Sequence, residues 1–147
     1  MISDTHGLMR PQALEALRGC DHIVHAGDVG APEVLDALRA LAPVSAIRGN
    51  IDRAPWTQSL PERLDLALAA ARVHVLHDLK ALAFDPAAAG VDAVVCGHSH
   101  RPGLHARDGV LYLNPGSAGP RRFRLPVSVG FLHLAGSAIA GELLELA

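Results

Sequence analysis

At 147 residues with a formal net charge of −2, the chain is sized for one domain, 1–147, and carries no general electrostatic attraction to nucleic acid. Half of its residues are apolar but only 3% are aromatic, so the core must be built mainly from Ala, Val, Leu and Ile. No apolar stretch is long enough to span a membrane, the first residues lack a secretory leader, and Cys20 and Cys96 are isolated thiols, which together point to a cytoplasmic protein without a disulfide framework.

In chain order, Ile2-Ser3 reads as a strand end breaking into Asp4-Thr5-His6-Gly7. A buried first strand usually runs five or six residues. Here it is either very short or preceded by residues outside the numbered chain. Pro11 to Leu17 reads as a helix with Pro in its first turn, followed by Gly19. His22 to Ala26 reads as a short apolar strand closed by Gly27. Pro32 to Leu41 is a second helix with Val34, Leu35, Leu38 and Leu41 on one face, and Val44 to Ile47 a third strand ending at Arg48-Gly49-Asn50. This alternation predicts parallel strands joined by right-handed crossovers. Leu64 to Leu68 and Val73 to Leu76 then read as a hairpin, with a short helix near Asp85 to Ala89 and another strand at Ala93 to Cys96. Leu104 to Ala106 and Val110 to Leu113 flank the turn signal Asp108-Gly109. Val127 to Leu134 and Ala138 to Leu146 form a last strand pair, apolar enough to serve as a homo-oligomer interface. The expectation is two sheets packed face to face with helices outside.

The chemistry-bearing residues lie just after these strands: Asp4 and His6, Asp28, Asn50, and His98 and His100. Ligands of open parallel sheets collect at the carboxyl ends of strands. If the strand ends stay extended, residues two apart point the same way, so Asp4 with His6, and His98 with His100, each aim two side chains into one cavity. A donor set of carboxylate, amide oxygen and imidazole without sulfur suits Mn, Fe, Co, Ni or Zn better than Mg or Ca. Two carboxylates against two divalent ions leave a positive site that attracts a phosphate ester. Two such ions can share a water and bring its pKa toward roughly 7, making a hydroxide for in-line attack on phosphorus.

Asp4-Thr5-His6, Gly27-Asp28, Gly49-Asn50, His77 and Gly97-His98-Ser99-His100 occur in the order and spacing of the calcineurin-like metallophosphoesterase superfamily. With Asn114-Pro115-Gly116-Ser117, the chain resembles the small single-domain phosphodiesterase branch over nearly its whole length. The resemblance implies a four-layer αββα sandwich, two mixed sheets flanked by helices, with a dinuclear metal centre. It implies that Asp4, His6, Asp28 and His100 hold one ion and that Asp28, Asn50, His77 and His98 hold the other, with Asp28 bridging. It implies manganese as the leading metal, Asp28, Asn50 and His98 as catalytic residues, and a small phosphate ester, a nucleotide among the candidates, as substrate. The fold is also similar to retromer-type scaffold proteins, so a binding protein is the alternative. Longer superfamily members carry a proton-donating His after Gly-Asn; here that place is Ile51.

The remaining candidates read as ordinary. His22, His25, His74, His105 and His133 are expected to be structural or solvent-facing, with His25 placed to support the Gly27-Asp28 turn. Asp52 and Asp78 are expected to face solvent, with support of the metal ligands as the alternative, Trp56 to pack, with an exposed partner or base contact as the alternative, and Arg121, Arg122 and Arg124 to form a solvated loop with substrate phosphate as the alternative contact.

Overall fold

A computed structural model describes all 147 residues. Helix α1 (Pro11–Ala16), strand β1 (Ile23–His25), helix α2 (Pro32–Arg39) and β2 (Val44–Ala46) come first, followed by β3 (Arg63–Leu68), β4 (Ala71–Leu76), β5 (Ala93–Val95), β6 (Gly103–Arg107), β7 (Val110–Asn114), β8 (Ser128–Ala135) and β9 (Ala138–Glu145). Strands β1 and β2 pair in parallel, and β8 and β9 form an antiparallel hairpin. The segment Met1–Ile2 links these two ladders. Ile2 exchanges hydrogen bonds with Val24 and Ala26, and Met1 with Gly130. The second sheet runs β3-β4-β5-β7-β6, parallel in its centre and antiparallel at both edges.

Period-two alternation explains the layers. In β5, Ala93 and Val95 face the other sheet while Val94 faces outward, and all three are buried. A strand covered on both faces reads as a continuous apolar run. The inter-sheet core joins Val24, Ala26 and Ile47 to Val73, Val75, Ala93, Val95 and Leu113. Outside the first sheet, α1 and α2 contribute Leu17, Val34 and Leu38 to a cluster with Ile2, Ile23 and Val129. The layer outside the second sheet is thin. The helix expected near Asp85 to Ala89 is instead a turn: Asp85 accepts from the amides of Ala87 and Ala88, and Gly90 at φ +72° ends it. That turn and one 3-10 helix, Leu79–Ala81, with Leu82, cover Val94 and Cys96. A second 3-10 helix, Pro55–Ser59, precedes β3. Leu132, Leu134, Ile139 and Leu143 of the last hairpin pack on the inter-sheet core, so this apolar surface is used within the chain.

Candidate metal centre

The strand ends of both sheets meet at one edge of the sandwich. All seven candidate side chains arrive there. His6 Nε2 lies 3.2 Å from His100 Nε2, 3.6 Å from Asp28 Oδ2 and 3.9 Å from Asp4 Oδ1. His77 Nε2 lies 3.3 Å from Asp28 Oδ2, 3.1 Å from Asn50 Oδ1 and 3.9 Å from Asp4 Oδ1. His98 Nδ1 is 3.1 Å from the same Asn50 oxygen, and His100 Nε2 is 3.4 Å from Asp4 Oδ1. Asp28 Oδ2 therefore stands between a His6–His100 side and a His77–Asn50–His98 side. Asp4, Asp28, His77 and His100 form a buried floor, and Asn50 and His98 form a rim open to solvent.

The route to this convergence differs from the expected one. The strand ends do not stay extended. Asp4 (φ +54°), His6 (+47°), Asp28 (+55°), His98 (+68°) and His100 (+58°) are all left-handed. Each pair converges because the backbone curls at the ligand residues themselves, rather than through strand alternation. The tight approach of the loops also explains two glycines. A Cβ on Gly49 would strike the Asp28 carboxylate, and one on Gly97 would strike the Ser3 hydroxyl.

Several residues that looked ordinary in the sequence hold these loops. Asp52, expected in solvent, is 5% exposed. Its carboxylate accepts from the amides of Val29 (3.0 Å), Gly30 (3.0 Å) and Gly49 (2.8 Å), clamping the Asp28 loop to the Asn50 loop. Asn114 donates to Gly97 O and Ser99 Oγ, and Ser117 Oγ donates to Asp4 O, so the Asn114–Ser117 turn braces both ends of the site. Ser3 Oγ donates to Asp4 Oδ2 at 2.7 Å. His25 is fully buried. Thr5 Oγ1 gives its proton to Val29 O, so it accepts from His25 Nε2–H, while His25 Nδ1 accepts from the Gly27 amide. The imidazole is locked neutral between two ligand loops, and burial first, then the positive character of His77, push its pKa down to about 3. The three amides that donate to Asp52 lie in segments about twenty residues apart in the chain, which the local pattern around Asp52 does not reveal. His25, by its place two residues before Gly27, and the Asn114-Pro115-Gly116-Ser117 motif did carry a signal.

His22 meets Ser45 Oγ, His74 meets Asp65, and His133 meets Glu142, all structural or surface contacts as expected. Cys96 is buried, and desolvation, together with the nearby Asp4 charge, pushes its thiol up to about 11. It is a packing residue. Asp78 is half exposed, 3.8 Å from His98 Nε2, and caps the Leu79–Ala81 turn through the Lys80 amide.

The arrangement fits divalent metal ions by the chemistry of its donors. His77 Nδ1 donates to Ala26 O at 2.8 Å, so its Nε2 offers a lone pair into the site, where it faces the oxygens of Asp28 and Asn50. Lone pairs facing one another need a cation between them, either a proton or a metal. Asp4 Oδ1 makes the same point, being buried with no hydrogen-bond donor. Burial works against charge on His77, but its hydrogen bonds to Asp28 and to Ala26 O and the charges of Asp28 and Asp4 outweigh it and raise its pKa. Burial likewise pushes Asp28 upward, and its bonds from His77 and the Ile51 amide overcome this, leaving it below the usual carboxylate range. At Asp4 burial dominates over the Ser3 hydroxyl, and its pKa is raised. His100 is pulled down to about 4 by burial and then by the Arg122 charge. Asp4, His6 and His100, and Asp4, Asp28 and His77, each bring three ligand atoms within 4.8 Å of one another.

The family model for the calcineurin-like phosphoesterase superfamily domain matches residues 1–137. The chain belongs to that superfamily. It is 33% identical over 157 residues to a probable metallophosphoesterase of Methanothermobacter thermautotrophicus, covering 99% of this chain and 90% of that protein. It is 35% identical to a probable metallophosphoesterase of Methanocaldococcus jannaschii over 80% of this chain, and spans 66% of that relative. The superfamily fold is also seen in solved structures. Vacuolar Protein Sorting 29 of Cryptosporidium parvum superposes with TM-score 0.84 at 20% identity, covering 99% of this chain and 89% of that one. The zinc complex of Vps29 from Entamoeba histolytica gives 0.76 at 24%, covering 98% and 96%. YfcE, a phosphoesterase from E. coli, gives 0.67 at 24%, covering 99% and 97%. Membership implies divalent metal binding and phosphate-ester chemistry, and the mixed α/β arrangement of facing sheets with few helices seen here is that of the superfamily fold. No helix is long and apolar enough to cross a membrane.

Proposed function

We propose that this superfamily member is a metal-dependent phosphodiesterase. One observation carries the reading: Asp4 Oδ1, buried and without a donor, faces the Nε2 atoms of His6, His77 and His100 at 3.9, 3.9 and 3.4 Å. Such a cluster is costly to bury unless a cation completes it. Asp4, His6, Asp28 and His100 would hold one divalent ion and Asp28, Asn50, His77 and His98 a second, with manganese the favoured metal and Ni, Co, Fe and Zn the alternatives. When bound, the metals supply Lewis acidity that polarises phosphoryl oxygens and acidifies water.

The chain's own residues do the rest. Ala26 O fixes the His77 tautomer so that Nε2 is always presented inward. Asp28, with Oδ2 facing His6 and His77 and Oδ1 held by the Ile51 amide, sets the spacing between the two halves. Asn50 and His98, on the solvent rim, are placed to meet the phosphate ester. Ile51 occupies the position of a leaving-group acid and is 42% exposed. With no imidazole there, the geometry favours esters whose leaving groups depart without protonation. The free thiols of Cys20 and Cys96 fit a reducing, cytoplasmic setting.

The likeness to Vacuolar Protein Sorting 29 supports a scaffold reading as the alternative. Hydrolysis of bis(4-nitrophenyl) phosphate with added Mn(II), with and without chelator, separates the two. Chelator-sensitive turnover supports the enzyme; no turnover above background with Mn, Ni, Co or Zn moves the assignment to the scaffold. Asp28→Ala should abolish that turnover and lower bound metal measured by atomic emission, because it removes the proposed bridge.

A further inference from the structure

Two cavities flank the metal centre, and His98 and Asp78 line both. They differ in chemistry. The first, about 530 Å³, runs beside Asn50 and contains Arg48, Arg53 and Arg63. Arg48 pairs with Glu62 at 3.3 Å, and Arg53 donates to Asn50 O. Arg63 has no carboxylate partner within 4.0 Å. This side suits a polar or anionic group.

The second cavity, about 610 Å³, lies on the other side of His98, between the Gly97–Arg101 loop and the β6–β7 hairpin. Leu79, Cys96 and Pro102 contribute apolar wall. His105 and Tyr112 form a cross-strand pair and stack with centroids 5.0 Å apart and planes within 5°. The two rings stack on one another, so only the outer face of the pair is open to a further ring. Lys80 and Arg101 also line the cavity. A flat aromatic surface with cationic groups beside it suits a planar ring attached to an anion, because stacking rewards a π-face and is tolerant of which ring it is.

We propose that this second cavity seats a planar aromatic arm of the substrate, a nucleobase or aryl ring, while the arginine-lined cavity takes the polar arm. This rests on the phosphodiesterase reading. It specifies which of a diester's two substituents goes where, and it makes the preferred substrate a nucleotide-like diester with unlike arms. Gly103 gives a clean probe. It lines the cavity at the start of β6, and a Cβ there meets nothing within 4 Å. Gly103→Val therefore narrows the cavity without a clash at a strand position that favours a β-branched residue.

The test has two arms. In the first, adenosine 5′-monophosphate and ribose 5-phosphate are titrated into the Zn(II)-loaded protein, and the ring resonances of Tyr112, the chain's one tyrosine, are followed by NMR. The nucleotide should shift them, the sugar phosphate should not, and Gly103→Val should remove the response. In the second, the same two ligands are compared as inhibitors of bis(4-nitrophenyl) phosphate hydrolysis, and the ratio of the ribose 5-phosphate to the adenosine 5′-monophosphate inhibition constant should fall about tenfold in Gly103→Val. An equal response to both ligands, no response to either, or an unchanged ratio overturns the proposal. If the wild type does not hydrolyse the diester, the phosphodiesterase reading fails, and the NMR arm still decides whether the cavity takes a ring.

Discussion

Replacing Asp52 by Asn tests whether the metal-site geometry is built by the protein before any ion arrives. Asp52 is nearly isosteric with Asn but loses its charge and one acceptor. In the native fold its Oδ2 accepts from Val29 and Gly49 and its Oδ1 from Gly30. Asn can satisfy the first two through its carbonyl oxygen, and then sets an amide N–H against the Gly30 N–H. The orphaned amide costs about 1–3 kcal/mol, and weakening two charge-assisted bonds to neutral ones costs about 0.5–1 kcal/mol each. The sum is about 3 kcal/mol, which for a chain of this size is a fall in Tm of roughly 10 °C.

The assay is thermal unfolding in excess chelator, so that metal binding does not enter, followed by titration with Mn(II). The loops carrying Asp28 and Asn50 should hold metal about 10–100-fold more weakly once the clamp is loosened. Asp36→Asn, which loses only an exposed i,i+3 contact to Arg39, is the control and should change stability by less than about 0.5 kcal/mol. If chelated Asp52→Asn melts within about 2 °C of wild type, the clamp does not set the site and the reasoning is wrong.

Three further outcomes follow from the same geometry. His25 has its pKa lowered to about 3 in the fold, so between there and the unfolded value near 6.5 the unfolded chain binds the extra proton; stability is full above pH 6.5 and is lost as pH falls. From pH 7 to pH 5 the loss is about 2 kcal/mol in chelator, read from urea unfolding, and His25→Gln should flatten that slope, whereas parallel slopes would show that His25 titrates freely. His77, whose pKa is raised by Asp28 and Asp4, must give up its Nε2 proton to a metal, so Mn(II) binding near neutral pH should release protons and tighten as pH rises. Calorimetry in buffers of different ionisation enthalpy checks this, and identical heats in all buffers refute it. Ile51→His should raise kcat on an alkyl phosphodiester by about tenfold or more while changing 4-nitrophenyl esters little; no gain on the alkyl ester defeats the missing-acid account.

The residues that converge at the site were legible in the sequence because five short motifs in fixed order carry them. The sheets were legible because β5 is an apolar run before Cys96-Gly97, β1 holds Ile23 and Val24 ahead of Gly27, and β4 alternates Val73 and Val75 with Arg72 and His74 ahead of His77. The sequence did not show how the ligands turn inward. An alternating or extended reading of Asp4-Thr5-His6 is locally reasonable, and only tertiary contact selects the left-handed backbone seen at Asp4 and His6. The turn at Asp85 was misread for a similar reason. Pro86 and three alanines favour helix, but Asp85 spends its carboxylate on the next amides and Gly90 ends the segment after one turn.

Five of the seven ligand residues sit at positive φ, and this bears on how the site is made. Asp and His tolerate that region better than β-branched residues, yet each position still costs of order 1 kcal/mol relative to an ordinary backbone. A cost repeated five times in one cluster persists only where the surroundings over-determine it. Here they do: Asp52 holds two loops through three amides, His25 ties the Thr5 and Gly27 loops through both ring nitrogens, and Asn114 and Ser117 hold the Gly97 and Asp4 loops from the other side. None of these four residues needs to touch a metal. These hydrogen bonds are made by residues other than the proposed ligands, so they shape the site through groups that do not themselves bind an ion. A fold that assembled its ligands only on metal binding would lack those four braces, and its chelated form would not keep the left-handed turns.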